Sequence, residues 1–297
     1  MPFLTNIGIA HYRGFYASRT IAPAIPNGKA GSGLTVLVGP NNSGKSTVVS
    51  AIRFVAGGPR QVDVEHRHPE DALVLSLENG LGETKTLTNP DLGAVTVIQG
   101  NEKAFPTTED VRLVPSRRAW SAYTSTARME QHDYWRRQIV IDEQDTFLVS
   151  RLACLSADDR ERFSKLLKEL LPQLSAWRIE LSRGQTFIQY ETEAGARHAA
   201  DLFGDGMASI FRVALSLFDS SVNQIVVIDE PELSLHPQAQ KLLASVLSRF
   251  ASDRQIIVTT HSPYFVNWSD LTNGGRIYRL TQKKDGVAIG SLASRTL

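Results

Sequence analysis

Residues Gly39-Pro40-Asn41-Asn42-Ser43-Gly44-Lys45-Ser46-Thr47 follow directly on the apolar run Leu34-Thr35-Val36-Leu37-Val38. Glycines at 39 and 44 allow a backbone turn tight enough for successive N–H groups to face one polyphosphate. Lys45 adds a point charge that reaches β- and γ-phosphates, and the Ser46 hydroxyl is a hard ligand for Mg²⁺. Asn41, Asn42, Ser43 and Thr47 complete the cradle. A helix is predicted from Ser46 to about Val55, with Val48, Val49, Ile52 and Val55 as its apolar side. Its positive dipole end faces the same phosphates. Strand, glycine loop and helix in this order predict nucleotide binding.

Two further segments end in chemically useful residues. Ile225-Val226-Val227-Ile228 reads as a strand buried on both faces of a parallel sheet, and Asp229-Glu230-Pro231-Glu232 follows it. Asp229 at the strand edge is placed to hold Mg²⁺, and Glu230 to orient or deprotonate an attacking water. Alone, the same residues would read as an acidic surface turn. The third segment is Gln255-Ile256-Ile257-Val258-Thr259-Thr260, with His261-Ser262-Pro263 just beyond it. Ligands of open α/β sheets bind outside the carboxyl ends of the strands, which puts His261 on the edge where it would touch a γ-phosphate.

The order phosphate loop, Asp-Glu-Pro-Glu with Leu235-His236-Pro237, then Thr-His-Ser-Pro resembles the ABC-type ATPase heads of the SMC and OLD-like families. In particular it resembles the small stand-alone AAA family ATPases of bacterial phage defence. Ile7-Gly8-Ile9-Ala10-His11-Tyr12-Arg13-Gly14-Phe15 resembles the first strand of those heads, which makes Arg13 a phosphate contact by resemblance. The motifs cover roughly Phe3–Val55 and Asp201–Leu280. The resemblance implies ATP and Mg²⁺ as cofactors, Lys45, Glu230 and His261 as catalytic residues, and Ser46 and Asp229 as metal ligands. It also implies a homodimer, or a higher oligomer, that sandwiches ATP between heads. The segment capping the partner's nucleotide would be Asp201-Leu202-Phe203-Gly204-Asp205-Gly206-Met207-Ala208-Ser209, with Gly204 and Gly206 presenting N–H groups. This departs from the Leu-Ser-Gly-Gly of transporters and is similar to the Gly-Asp-Gly of OLD-like proteins; a plain loop and helix start is the competing reading.

Composition sets the outer bounds. The chain has 297 residues, 42% hydrophobic and 21% charged, with a formal net charge of +1. That suits an ordinary globular α/β chain with no global preference for polyanions. A single cysteine, Cys154, excludes an intrachain disulfide and reads as a small core residue. No signal pattern and no apolar run near the ~20 residues of a membrane span is present, so a cytoplasmic protein without membrane association is expected.

The expected fold is a P-loop NTPase of ABC-ATPase type: a mostly parallel central sheet, an antiparallel β layer and a helical insert. Residues 1–60 and 200–297 form the two halves of the core, 61–110 the β layer, and 111–199 the insert. Gln99, after Val97-Ile98, reads either as a metal-contacting glutamine or as a surface turn. His66-Arg67-His68 reads as loop rather than metal site. Between Val111 and Val140, Arg112, Arg117, Arg118, Arg128, Arg136 and Arg137 outnumber Glu130 and Asp133, interleaved with Trp120, Tyr123, Tyr134 and Trp135. Arginines with aromatics suit nucleic acid, with Arg117, Arg118, Arg136 and Arg137 as the contacts, or a partner protein, or simply amphipathic helices. Ser156 with Asp159 predicts a capped helix ended by Pro172, and a hairpin follows around Arg183-Gly184. No long heptad run is present, so no coiled-coil arm is expected, nor is a Toprim nuclease expected after the closing strands Arg276–Leu280 and Val287–Ile289.

Three roles are compatible with such a head. It regulates a separately encoded effector protein, as in anti-phage defence; it acts directly on DNA in repair or chromosome maintenance; or it is a nucleotide-gated scaffold that does not hydrolyse.

Overall fold

The structure, a computed structural model, describes residues 3–58, 71–89, 96–99, 105–116, 123–124, 128–140, 147–182, 184–198, 204–222 and 224–292. In chain order, β1 (Leu4–Ala10) and β2 (Arg19–Ile21) precede β3 (Leu34–Val38) and α1 (Lys45–Gly57). β4 (Val74–Asn79), β5 (Thr84–Thr88), β6 (Val97–Gln99), β7 (Val111–Val114) and β8 (Tyr123–Thr124) follow. Then come α2 (Gln131–Val140), α3 (Leu148–Leu152), α4 (Ala157–Leu170), β9 (Leu174–Ser182), β10 (Gln185–Thr192) and β11 (Arg197–His198). The last third holds α5 (Asp205–Asp219), β12 (Ile225–Asp229), α6 (Pro237–Phe250), β13 (Gln255–Thr260), α7 (Trp268–Asn273), β14 (Arg276–Lys283) and β15 (Gly286–Leu292).

The central sheet runs β15-β14-β3-β13-β12-β7, parallel except for the antiparallel edge strand β15. β12 and β13 are buried at every position, as strands covered on both faces must be. A second, antiparallel sheet runs β2-β1-β4-β5-β6. Between the two lies α1, whose Val48, Ala51, Ile52 and Val55 share a core with Leu4, Ile7 and Ile9 of β1 and with Val227 and Ile257 of the central sheet. On the other face, α4, α5 and α6 pack with Phe163, Leu167, Phe211, Leu215 and Leu247 against Val226, Val258 and Val36.

The insert is helical with a hairpin, as expected, but it starts later than the sequence suggested. Val111–Val114, read there as the beginning of the insert, is the edge strand of the central sheet, in register with β12 from Ile225↔Val111 to Ile228↔Val114. Its side chains are all buried, and four residues are too few for a periodicity that tells layers apart. α4 begins at N-cap Ser156, whose hydroxyl accepts the Asp159 N–H at 3.1 Å. In the hairpin, β9 pairs one edge of β10, and β8 and β11 share the other. The insert is held to α5 by a buried pair: Arg151 donates to both oxygens of Asp219 at 2.6 and 3.0 Å, and Trp135 Nε1 donates to the same carboxylate at 2.9 Å.

That packing bears on the arginines and aromatics, which the sequence left open between nucleic acid, a partner protein and plain amphipathic helices. Tyr134 and Trp135 are buried, and so is Arg112, which lies over the Trp135 ring and donates to the Glu109 and Val111 carbonyls. Amphipathic helix α2 turns its aromatics inward and leaves Arg136 and Arg137 exposed, Arg137 over the Phe147 ring. Arg117, Arg118 and Trp120 lie outside the described residues, as do His66, Arg67 and His68. Gln99 closes β6 at the edge of the antiparallel sheet. Cys154 is only partly buried. Among the described residues no helix is long and apolar enough to cross a membrane.

Candidate functional site

Strand register brings the three segments together. β3 and β13 pair from Ile256↔Leu34 to Thr260↔Val38, so the loop leaving Val38 and the turn at His261 emerge side by side. β12 pairs β13 with Asp229 opposite Thr259. Ser46 and Asp229, 183 positions apart, then meet with Ser46 Oγ donating to Asp229 Oδ1 at 3.3 Å. All of this lies at the carboxyl edge of the sheet, the edge at which α/β folds bind ligands.

The loop takes the shape its glycines permit. Asn42 and Gly44 have positive φ, 60° and 95°, and Gly44 is the N-cap of α1. A Cβ on Gly44 would stand 2.9 Å from the Phe15 ring and from Val287, so this position requires glycine twice over. The contact also places the Arg13-Gly14-Phe15 turn against the loop. Arg13, itself at φ 51°, donates to Ser50 Oγ of α1 at 3.4 Å. Arg13, Asn41, Asn42, Ser43, Gly44, Lys45, Ser46, Thr47 and Glu230 line a single cleft of about 630 Å³.

Lys45 spans this cleft. Its ammonium donates to the carbonyls of Gly39 at 2.9 Å and Pro40 at 3.0 Å and lies 3.0 Å from His261 Nε2. The same ring nitrogen is 3.0 Å from Glu230 Oε1. One nitrogen accepts from the lysine or donates to the glutamate, but not both at once. Burial lowers the Lys45 pKa from its ordinary 10.5, and Glu230, Asp229 and Glu232 act against that shift.

Thr259 is a site residue that motif reading passed over. Its hydroxyl donates to Asp229 Oδ1 and accepts the Glu230 N–H at 3.0 Å, so one buried side chain orients both acidic residues. Glu230 itself sits at φ 50°, a left-handed backbone that sets its direction off the strand axis. His236, noted in the sequence only as part of a motif, caps α6 by accepting the Gln238 N–H at 3.4 Å.

Gly204 and Gly206 stand apart from this cleft, at the start of α5. Gly204 has open space around it, whereas a Cβ on Gly206 would stand 2.4 Å from the Ser234 carbonyl oxygen. Within one chain, Gly206 therefore serves close packing of α5 on the segment after Glu230.

The residues present fit a nucleotide with a magnesium ion. The first turn of α1 offers N–H groups and a positive dipole end to phosphate. Ser46 and Asp229 supply two hard oxygens, and no cluster of three or more metal-ligating side chains exists among the described residues. Such a sparse set suits Mg²⁺, which keeps waters and takes phosphate oxygens as ligands.

Comparison with known proteins bears on the family and the fold. Residues 34–79 and 72–267 match the domain family described as "AAA domain, putative AbiEii toxin, Type IV TA system". Among solved structures, an SMC head domain from Thermotoga maritima is similar at TM-score 0.56 and 16% identity, over 98% of this chain and 99% of that one. An Smc head bound to the C-terminal winged-helix domain of ScpA is similar at TM-score 0.58 and 14% identity, over 99% and 98%. An Smc head with extended coiled coil, bound to the C-terminal domain of ScpA derived from Pyrococcus furiosus, gives TM-score 0.56 and 12% identity, over 99% and 97%. At these identities the likeness is one of fold: a P-loop head of SMC type. An uncharacterized protein of Methanocaldococcus jannaschii is 28% identical over 93 residues, which is 31% of this chain and 11% of that protein's length.

Proposed function

We propose, for a chain that belongs to the domain family "AAA domain, putative AbiEii toxin, Type IV TA system", that it is a Mg²⁺-dependent ATP hydrolase whose heads pair around ATP. One observation carries this reading: Lys45, Ser46, Asp229, Glu230 and His261 converge within hydrogen-bonding distances from three separate strand ends. Lys45 neutralises phosphate charge. Glu230 orients or deprotonates the attacking water, and its 3.0 Å approach to His261 holds the carboxylate toward the loop. His261 contacts the γ-phosphate. Ser46 and Asp229 would hold Mg²⁺, which would supply charge neutralisation for the phosphates. Arg13, on the rim of the same cleft, adds a positive charge.

Hydrolysis in such a head serves a partner. The family description names a putative toxin of a type IV TA system. Our reading is a head that regulates a separately encoded effector, in anti-phage defence, with Gly204 and Gly206 presented to the nucleotide of a second copy; a toxin–antitoxin association is compatible with it. Direct action on DNA has weaker support, because Tyr134 and Trp135 are buried and unable to stack on bases.

The test uses the full chain with Mg-ATP. Wild type releases phosphate, and Glu230→Gln still binds ATP and accumulates as an ATP-dependent dimer while turnover falls by orders of magnitude, on the scale of ~10²–10⁴ for a lost general base. Lys45→Ala loses binding of a fluorescent nucleotide. An unchanged rate in Glu230→Gln would remove the base assignment. Dimers without any phosphate release in wild type would leave a nucleotide-gated scaffold.

A further inference from the structure

His261 lies one residue past the last paired position of β13, where the ladder no longer fixes the backbone. Something else must hold it. Its N–H donates to Glu232 Oε1 at 2.5 Å, a bond to a carboxylate and so stronger than one to a neutral acceptor. The neighbouring Ser262 hydroxyl donates to Gln240 Oε1 at 2.7 Å, and Gln240 Nε2 donates in turn to the Leu235 carbonyl at 2.9 Å. Both residues of the turn are thus tied to the segment that follows Glu230.

That segment is itself stiff. Leu233 N–H bonds the Glu230 carbonyl, Leu235 N–H bonds the Glu232 carbonyl, and Ser234 sits at φ 61°. The start of α5 rests on it at Gly206. The second oxygen of Glu232 is buried without a hydrogen-bond partner among the described residues. The acceptor for the His261 N–H is thus an oxygen carried by the segment 230–235, and not a carbonyl of β13.

We infer that Glu232 and Gln240 are positioning residues for His261, setting its distance to the γ-phosphate through the segment 230–235 instead of through β13. The inference rests on the reading of His261 as the γ-phosphate contact. Its consequence is specific: the clamp matters for ATP and not for ADP, which has no γ-phosphate. It also links His261 mechanically to the N-terminus of α5, so that a load on α5 is felt at the nucleotide.

The experiment compares the affinities of the full chain for fluorescent ATP and ADP, with phosphate release measured in parallel. Glu232→Ala lowers the ATP-over-ADP preference by at least about fivefold, the lower end of coupling between linked sites, with ADP affinity within about twofold of wild type. Glu232→Gln, whose amide oxygen accepts the same N–H, keeps the wild-type preference to within about twofold. Gln240→Ala shifts the preference in the same direction as Glu232→Ala and decides the matter if that variant fails to give a cooperative melt. A folded Glu232→Ala or Gln240→Ala with wild-type preference overturns the inference, as does a Glu232→Gln as impaired as Glu232→Ala. Failure of wild type to release phosphate removes the hydrolysis reading only, since the preference is measured by binding.

Discussion

Replacing Thr259 by valine keeps shape and volume and removes one hydroxyl, which the structure makes responsible for two contacts. Asp229 loses a donor to an ionised carboxylate, worth about 1.5–3 kcal/mol, and the Glu230 N–H loses one acceptor, worth about 0.5–1.5 kcal/mol. The Glu230 N–H retains the Thr259 carbonyl at 3.0 Å, which keeps the second loss near its lower end. The sum is about 2–4 kcal/mol, and at about 2–4 °C per kcal/mol the midpoint falls by on the order of 10 °C. Thr259→Ser keeps the hydroxyl and loses one methyl group, about 1 kcal/mol. Function follows the same division. Asp229 without its supporting donor binds Mg²⁺ roughly 10-fold or more weakly, the usual effect of removing an outer partner of a metal ligand. The assay is phosphate release against Mg²⁺ concentration, beside a thermal melt of each variant. A Thr259→Val protein with the Mg²⁺ requirement of wild type would refute the reasoning, and so would a serine variant as impaired as the valine one.

Gly206→Ala pushes a Cβ to 2.4 Å from the Ser234 carbonyl, costing about 1–3 kcal/mol of overpacking against about 0.5–1 kcal/mol of helix gain, so the nucleotide-free melting temperature drops. Gly204→Ala has free space and loses only roughly 0.5 kcal/mol of capping, so any larger loss of turnover in that variant reports contact with a second copy. Arg151→Met leaves Asp219 buried without its bidentate partner, and urea unfolding should show a loss of about 3–5 kcal/mol. Because burial lowers the Lys45 pKa and the phosphates need the ammonium form, ATP affinity declines as pH rises through a value below 10.5. Glu230→Gln removes the largest opposing influence, so fluorescent-nucleotide titrations from neutral to alkaline pH should show that decline at lower pH.

Much of the site was legible because its chemistry is local. A glycine-lysine-serine loop between an apolar strand and a helix has one physical use, and the structure places Asn41 to Thr47 around one cleft. Asp229, Glu230 and His261 were readable as residues at strand ends, the one place where a buried parallel strand meets solvent and ligand. Thr259 was not, since a threonine in a β-branched strand looks like any strand former until its neighbour is known. The aromatics of α2 left three readings open for a related reason. Tyr134-Trp135 and Arg136-Arg137 stand side by side there, and only the packing against Arg151 and Asp219 shows which side is the interior. Val111–Val114 failed on length, being a core strand too short to declare its sheet.

By itself the amino-acid order determined a glycine-lysine-serine loop between a strand and a helix, the residue types which that loop offers to a phosphate, and a mostly parallel sheet. Those properties arise from the torsional freedom of glycine, from charge, and from apolar runs a few residues long. The tertiary structure decided what stands opposite what: Thr259 beside Asp229, His261 beside the phosphate loop, and Gly206 on Ser234. Contacts between positions as far apart as 183 residues depend on the register of ladders and on packed volume. No short stretch of sequence carries that information, because register is settled by the whole core at once.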